Sequence, residues 1–180
     1  STGIYILEPE VFNYMPKSGT YGFGRQLFPS LVQAGLPVLA VDLKSYWTDV
    51  GTINQYKQSN FDALDGLLNV EMPEMDERHA YLAADAKIES GVQVDGTLLL
   101  GKKSRIESGV KIKGRVIIGD NCRIERNAIL EDTIVWSNSV LEENASLSHC
   151  IVGSGCVVQS GTAHQQVTAV KWPPQSLLKV

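Results

Sequence analysis

Cysteine is scarce in this sequence. The three present, Cys122, Cys150 and Cys156, are odd in number and show no CxxC spacing. That argues against both a disulfide framework and a structural zinc site, and makes a reducing cytoplasm the expected compartment. Long apolar runs are missing too. The longest, Leu98 to Leu100 and Val116 to Ile118, fall far short of the roughly 20 residues that span a bilayer, so no membrane partner is expected. Residues Ser1 to Leu7 have no basic segment followed by an apolar one, and no Met begins the chain. No secretory signal is visible, and a processed or truncated piece of something longer is compatible with this start. An excess of positive charge is also absent. With 16 basic and 20 acidic residues the net charge is −4, which leaves no field to hold a phosphate backbone, so nucleic acid is not an expected partner. What is present, 180 residues of which 43% are hydrophobic and 20% charged, can bury a core and excludes disorder, collagen and coiled coil.

The second half is a repeat. Steps of six from Leu82 reach Ile88, Val94, Leu100, Ile106, Ile112, Ile118, Ile124 and Leu130 without a break. The fifth position of each hexad is also of inward size: Ala86, Val92, Leu98, Ser104, Val110, Val116, Cys122, Ala128 and Ile134. A longer period of 18 is visible in Lys87-Ile88-Glu89-Ser90, Arg105-Ile106-Glu107-Ser108 and Arg123-Ile124-Glu125-Arg126. A helix of 3.6 residues per turn would smear such aliphatics around its cylinder, whereas short strands separated by corners keep them on one side. The corners call for residues that tolerate a left-handed backbone, and Gly91, Gly109, Asn121, Asn127, Asn138, Asn144, Gly155 and Gly161 stand there. The register slips by one between Leu130 and Val135 and again between Leu147 and Val152, so later coils are 17 residues long. Residues 81–163 therefore form a parallel β-helix of triangular section with somewhat more than four coils.

The simplest reading of the charges in the repeat is mutual compensation. Lys87, Arg105 and Arg123 stack in one ladder, and Glu89, Glu107 and Glu125 in its neighbour. Cys122 and Cys156 read as small core residues. His149, at a slipped corner, and His164, after the last hexad, read as solvated rather than catalytic. Trp136 takes a position otherwise held mostly by Gly or acids, which marks either a contact with a partner or absent domain or a rim residue covered by the C-terminal tail.

Residues 1–70 have α/β texture: a strand at Gly3 to Leu7, a helix near Arg25 to Ala34, a strand at Val38 to Leu43, and a helix over residues 53–68 capped by Thr52. Two strands and two helices are too few to close a sheet. Residues 71–80, with Met, Pro and acids, read as a linker, and residues 164–180, with Trp172-Pro173-Pro174, as an irregular tail that packs back over the open end.

Ser1-Thr2-Gly3-Ile4-Tyr5, Leu27-Phe28-Pro29 and above all Tyr46-Trp47-Thr48-Asp49-Val50-Gly51-Thr52 are similar in order and spacing to the later part of sugar-1-phosphate nucleotidylyltransferases of the mannose-1-phosphate guanylyltransferase type. The hexad pattern resembles the hexapeptide family, and left-handedness is taken from that resemblance. The implied fold is the C-terminal part of a Rossmann-like α/β nucleotidyltransferase domain, followed by an all-β left-handed parallel β-helix of about four coils. The implied reaction joins a sugar 1-phosphate to the α-phosphorus of an NTP and releases pyrophosphate, with Mg²⁺ offsetting the charge. By the same resemblance Asp49 is a catalytic metal ligand, Gly51 turns the backbone beside it, and Ser1, Thr2 and Gly3 lie where the sugar binds. Ser1 departs from the family's usual Asn, and Gly22, Gly24 and Gln26 stand where acids are common.

The family's Gly-rich phosphate loop, with its basic residue and first metal carboxylate, has no counterpart here. The chain alone is therefore expected to be inactive, with one carboxylate unable to fix Mg²⁺ by itself. Two other readings compete: a non-catalytic regulatory or scaffold subunit of nucleotidyltransferase type, and a hexapeptide acyltransferase, for which the inserted loop is lacking. Incomplete sheets and open β-helix ends favour a homo-oligomer.

Overall fold

The computed structural model describes residues 2–166, 168 and 169. It divides into two compact units, Ser1–Asp49 and Val50–Val180.

In the second unit three columns of short parallel strands form the walls of a prism. Face one stacks Ala80–Leu82, the second halves of Gln93–Leu100 and Lys111–Ile118, then Ile134–Val135, Ile151–Val152 and Thr168–Ala169. Face two stacks Lys87–Ile88, Arg105–Ile106, Arg123–Ile124, Val140–Leu141 and Val157–Val158. Face three carries the first halves of the two long strands, then Ile129–Glu131, Ser146–Ser148 and Ala163–Gln165. Every ladder is parallel, as a coiling chain requires. The register advances 18 residues from Ile106 to Ile124 and 17 from Ile124 to Leu141, as the hexad slip predicts.

Leu100, Ile106, Ile112, Ile118, Ile124, Leu130, Val135, Leu141, Leu147 and Val152 fill the interior. All eight expected corner residues have positive φ, from 54° at Asn121 to 80° at Gly91. Cys122 and Cys156 are buried in that core as free thiols. They alternate with hydroxyls along one column. Ser104 donates to the Gly119 carbonyl at 2.7 Å, Cys122 to that of Trp136 at 3.2 Å and Ser139 to that of Gly153 at 2.8 Å. Each buried polar atom thus meets a carbonyl of the next corner, which offsets its desolvation. Burial pushes the Cys122 thiol pKa up, outweighing the hydrogen bonds from neighbouring serines that act the other way.

One sequence expectation fails in the prism. Ile134 is buried, but on the outer side of face one, and Thr133 takes the inward position beneath Val116. The deleted residue falls before Thr133, and one residue of slip exchanges inward and outward sides.

The charge ladders compensate as expected. Arg105 pairs with Glu89, Arg123 with Glu125 at 2.8 Å, and Arg126 approaches Glu107 at 3.9 Å. The glutamates do more. Glu89, Glu125 and Glu142 accept the corner amides of Ser108, Glu143 and Ser160 in the next coil, satisfying backbone donors that a tight corner leaves over. The hydrogen bond from Arg105 holds the Glu89 carboxyl below its ordinary pKa.

The segment before the prism is more ordered than a linker. Asp76 accepts the amides of Arg78 and Ala80 at 2.9 and 3.0 Å and the Arg78 guanidinium at 2.6 Å, and Met75 bridges antiparallel to Tyr81. Partial burial raises the Asp76 pKa, but these hydrogen bonds outweigh it and the net shift is downward.

The first unit lacks the two strands that its sequence suggests. Neither Gly3 to Leu7 nor Val38 to Leu43 pairs with anything. Ile6, Leu39 and Val41 are 99%, 89% and 81% exposed. A strand needs a neighbour for its amides and carbonyls, and this chain supplies none there. What folds is smaller. A 3-10 turn at Pro9–Tyr14, a π turn at Phe23–Leu27 and helix α1 at Phe28–Gln33 enclose Val11, Leu27 and Leu31, and Tyr5 packs edge-on to Phe28 at 4.8 Å. The helical stretch thus begins two residues before Arg25 and ends one before Ala34.

Candidate active-site segment and its support

Helix α2, Ile53–Leu64, follows the Tyr46-to-Thr52 segment directly. Thr52 accepts the Gln55 amide at 3.2 Å and donates to the Gln55 side chain at 2.9 Å. This caps the first turn from a residue whose own backbone is extended, with φ −135° and ψ 161°. The cap expected from sequence is present, although the helix stops at Leu64 rather than Leu68.

Face one is what holds α2. Its outward ladder reads Leu99, Ile117, Ile134 and Ile151, apolar where a solvated face would be polar. Phe61 packs against Ile134 and Ile151, with Tyr56 and Ile117 at the edge of the cluster. Burying such a ring contributes roughly 1.5–3 kcal/mol. The Arg115 guanidinium lies 4.7 Å from the Phe61 ring centre, while its Nη1 reaches Asp65 Oδ2 at 3.3 Å and its Nε lies 3.7 Å from Asp132 Oδ1. Cation–π contact and half-exposed ion pairs each add about 0.5–1 kcal/mol or less. Trp136 donates to the Tyr56 hydroxyl at 2.9 Å with the two rings edge to face. The role of Trp136 is therefore to hold α2 of its own chain. The alternative cover, Lys171 to Val180, lies outside the described residues.

This docking surface was missed in the sequence, although a signal exists. The adjacent apolar pairs Leu99-Leu100, Ile117-Ile118, Ile134-Val135 and Ile151-Val152 put one residue on each side of a wall.

Among the residues proposed to act on substrate, Ser1 lies outside the described residues. Thr2 is half-buried and Gly3 exposed, with φ 77° and open space where a Cβ would stand. Asp49 ends the first unit and is exposed, and Gly51 is exposed in the second. Among the described residues no group of three His, Cys, Asp or Glu side chains comes together in a way that could hold a metal. Asp49 is thus a single open carboxylate. Mg²⁺ keeps several waters and usually adds one or two carboxylates to substrate oxygens, and the residues present do not make that set. No helix among the described residues is long and apolar enough to cross a membrane.

Known proteins place both parts of the chain. The family described as nucleotidyl transferase matches residues 1–66, and the family described as EIF2B subunit epsilon LbH domain matches residues 77–171. A UTP–glucose-1-phosphate uridylyltransferase of Synechocystis sp. is 35% identical over 56% of the chain and 31% of its own length. Glucose-1-phosphate adenylyltransferases of Acetivibrio thermocellus and Bacillus thuringiensis are 25% and 27% identical over 85% and 90% of the chain, and 37% and 44% of their own lengths. The chain therefore spans less than half of these relatives. Among solved structures, a UDP-N-acetylglucosamine O-acyltransferase of Moraxella catarrhalis overlaps 51% of this chain and 61% of its own at 15% identity. Its TM-score is 0.24, and nothing follows from so small an overlap. The chain belongs to the EIF2B subunit epsilon LbH domain family, a left-handed β-helix, joined here to a nucleotidyl transferase segment as in sugar-1-phosphate nucleotidylyltransferases.

Proposed function

We propose that this chain is the C-terminal part of a sugar-1-phosphate nucleotidylyltransferase. In that reaction a phosphate oxygen of the sugar 1-phosphate attacks the α-phosphorus of an NTP, the bond to the β-phosphate breaks, and pyrophosphate leaves. The observation that carries this reading is the nucleotidyl transferase match over residues 1–66, which includes the whole Tyr46-to-Thr52 segment and is followed by the β-helix. Asp49 is assigned as one Mg²⁺ ligand, with the remaining ligands, the phosphate loop and the base contacts supplied from outside this chain. Thr2, Gly3 and Gly51 are assigned to the sugar side of the site, and Ser1 with them. Alone, the chain is inactive, because a single carboxylate offsets none of the phosphate charge. Free buried cysteines support a cytoplasmic location. The unpaired extended segments of the first unit support assembly with further protein, including other copies.

The test is pyrophosphate release from UTP, ATP or GTP with glucose or mannose 1-phosphate. It compares this chain with a longer polypeptide that adds the preceding coding sequence. Turnover is expected only in the longer form, with Asp49→Ala lowering it about a hundredfold or more. A longer form that binds neither substrate would overturn the reading. It would favour instead a regulatory subunit, which the match to a domain named for an EIF2B subunit also supports.

A further inference from the structure

The crevice between helix α2 and the last corners of the prism has no part in the reading above. It encloses about 370 Å³ and is lined mainly by Asn54 and Lys57 of α2 and by His149, Gln166 and Thr168 of the prism, over Ile151. Its chemistry is one-sided. Lys57 is a cation, Asn54 and Gln166 offer amide N–H groups, Thr168 offers a hydroxyl, and His149 a ring nitrogen. Lys57 is half-buried, and its ammonium meets only the His149 carbonyl, at 3.4 Å. Among the described residues no carboxylate pairs with it, although acids outnumber bases in the chain.

The acids nearby are engaged elsewhere. Asp132 lies 3.6 Å from His149 Nδ1, and it also accepts the Arg115 amide and faces the Arg115 guanidinium, which bridges to Asp65. The crevice thus presents a cation and neutral donors, with the nearest negative charge already offset on its far side. It also lies on rigid support. His149 and Gln166 occupy successive corners with φ 56° and 54°, and their amides are bonded to Glu131 and Ser148 of the preceding coil.

We propose that this crevice binds a small phosphate-bearing anion, inorganic phosphate or a phosphate monoester no larger than a hexose phosphate. Lys57 provides the charge, and His149, Asn54 and Gln166 provide neutral donors around it. An ammonium half removed from water gains more from a phosphate oxygen than from the one long contact to a carbonyl.

Calorimetric titration of this chain with inorganic phosphate, glucose 6-phosphate, glucose 1-phosphate and uncharged glucose tests the proposal. Lys57→Gln, Lys57→Arg, His149→Asn and Asp49→Ala are run beside the unsubstituted chain, with circular dichroism checking each fold. Saturable binding of at least one phosphate-bearing ligand and none of glucose is expected. It should weaken about tenfold or more in Lys57→Gln, weaken less in Lys57→Arg, and stand unchanged in Asp49→Ala. Preference for the esters over inorganic phosphate identifies a sugar phosphate, and equal affinity identifies the free ion, both within the proposal. Binding that no folded Lys57 variant alters, binding lost in Asp49→Ala, or no binding by the folded chain would each overturn it. None of these outcomes depends on whether the longer form turns over.

Discussion

The Trp136 indole donates a hydrogen bond to the Tyr56 hydroxyl at 2.9 Å across 80 residues of sequence. This contact joins the helix that follows the Asp49 segment to the fourth wall strand of face one. It uses the polar edge of each ring and leaves the apolar bodies packed edge to face.

Tyr56→Phe keeps the ring and removes the hydroxyl acceptor. A loss of about 0.5–1.5 kcal/mol in urea unfolding is expected, with a shifted Trp136 emission. Trp136→Ala, which also removes the packing, should cost about 1–3 kcal/mol. Equal costs for the two would show that the hydrogen bond carries the whole contact.

Gly96 and Gly155 both lie in the left-handed region, at φ 140° and 67°, but only Gly96 is crowded. A Cβ at Gly96 would strike the Gly114 backbone, while Gly155 has open space around it. Gly155→Ala should cost about 1–2 kcal/mol, the backbone preference alone. Gly96→Ala should cost clearly more or prevent folding, because neighbouring backbone cannot move aside. Thermal unfolding of the two variants decides this.

Cys122 occupies a column in which Ser104 and Ser139 already donate to equivalent carbonyls. Cys122→Ser is therefore expected to cost no more than about 1.5 kcal/mol, whereas Cys122→Asp should not fold. The native thiol pKa is raised, so the unfolded chain loses this proton first as pH rises. The stability linked to Cys122 is full below the ordinary thiol pKa of about 8.5 and declines above it. Unfolding curves at pH 7 and pH 9.5 should show that decline, and it should shrink in Cys122→Ser.

Asp76 behaves in the opposite sense. Its folded pKa is lowered, so its contribution is complete above the unfolded value of about 3.9 and is lost as pH falls through the folded one. Asp76→Asn should destabilise the chain at pH 7 by about 1 kcal/mol and lose most of that difference near pH 2. A difference independent of pH would remove the carboxylate from the account.

Asp49 stands without a second carboxylate beside it. Millimolar Mg²⁺ should give the same small heat with this chain and with Asp49→Ala, since one carboxylate cannot displace the waters of the ion. A saturable, Asp49-dependent signal would mean that a metal site forms within this chain.

The prism was legible because its signal is local and repeated. Each Ile, Leu or Val of the hexad meets its own counterpart one coil away, so sequence spacing equals spatial stacking and Gly or Asn punctuates each corner. Thr52 was legible as a cap for a similar reason, because its partner Gln55 is three residues on. The strands read at Gly3 to Leu7 and Val38 to Leu43 were not realised, since a strand depends on a neighbour that composition cannot supply. Ile134 was read as inward because a one-residue deletion can be placed at several points, and only the backbone pairing of Ile117 with Ile134 locates it.

Sequence by itself determined the coil, its change from 18 to 17 residues, its corners, its buried thiols and the kinship of the Tyr46-to-Thr52 segment. Those features rest on residues close in the chain or on strict periodicity. Tertiary structure decided which wall carries α2, that Trp136 and Arg115 hold it, and that Lys57 faces a crevice without a carboxylate. These depend on contacts across 50 to 92 residues, where no local preference specifies the partner and only the packing of one apolar face on another does.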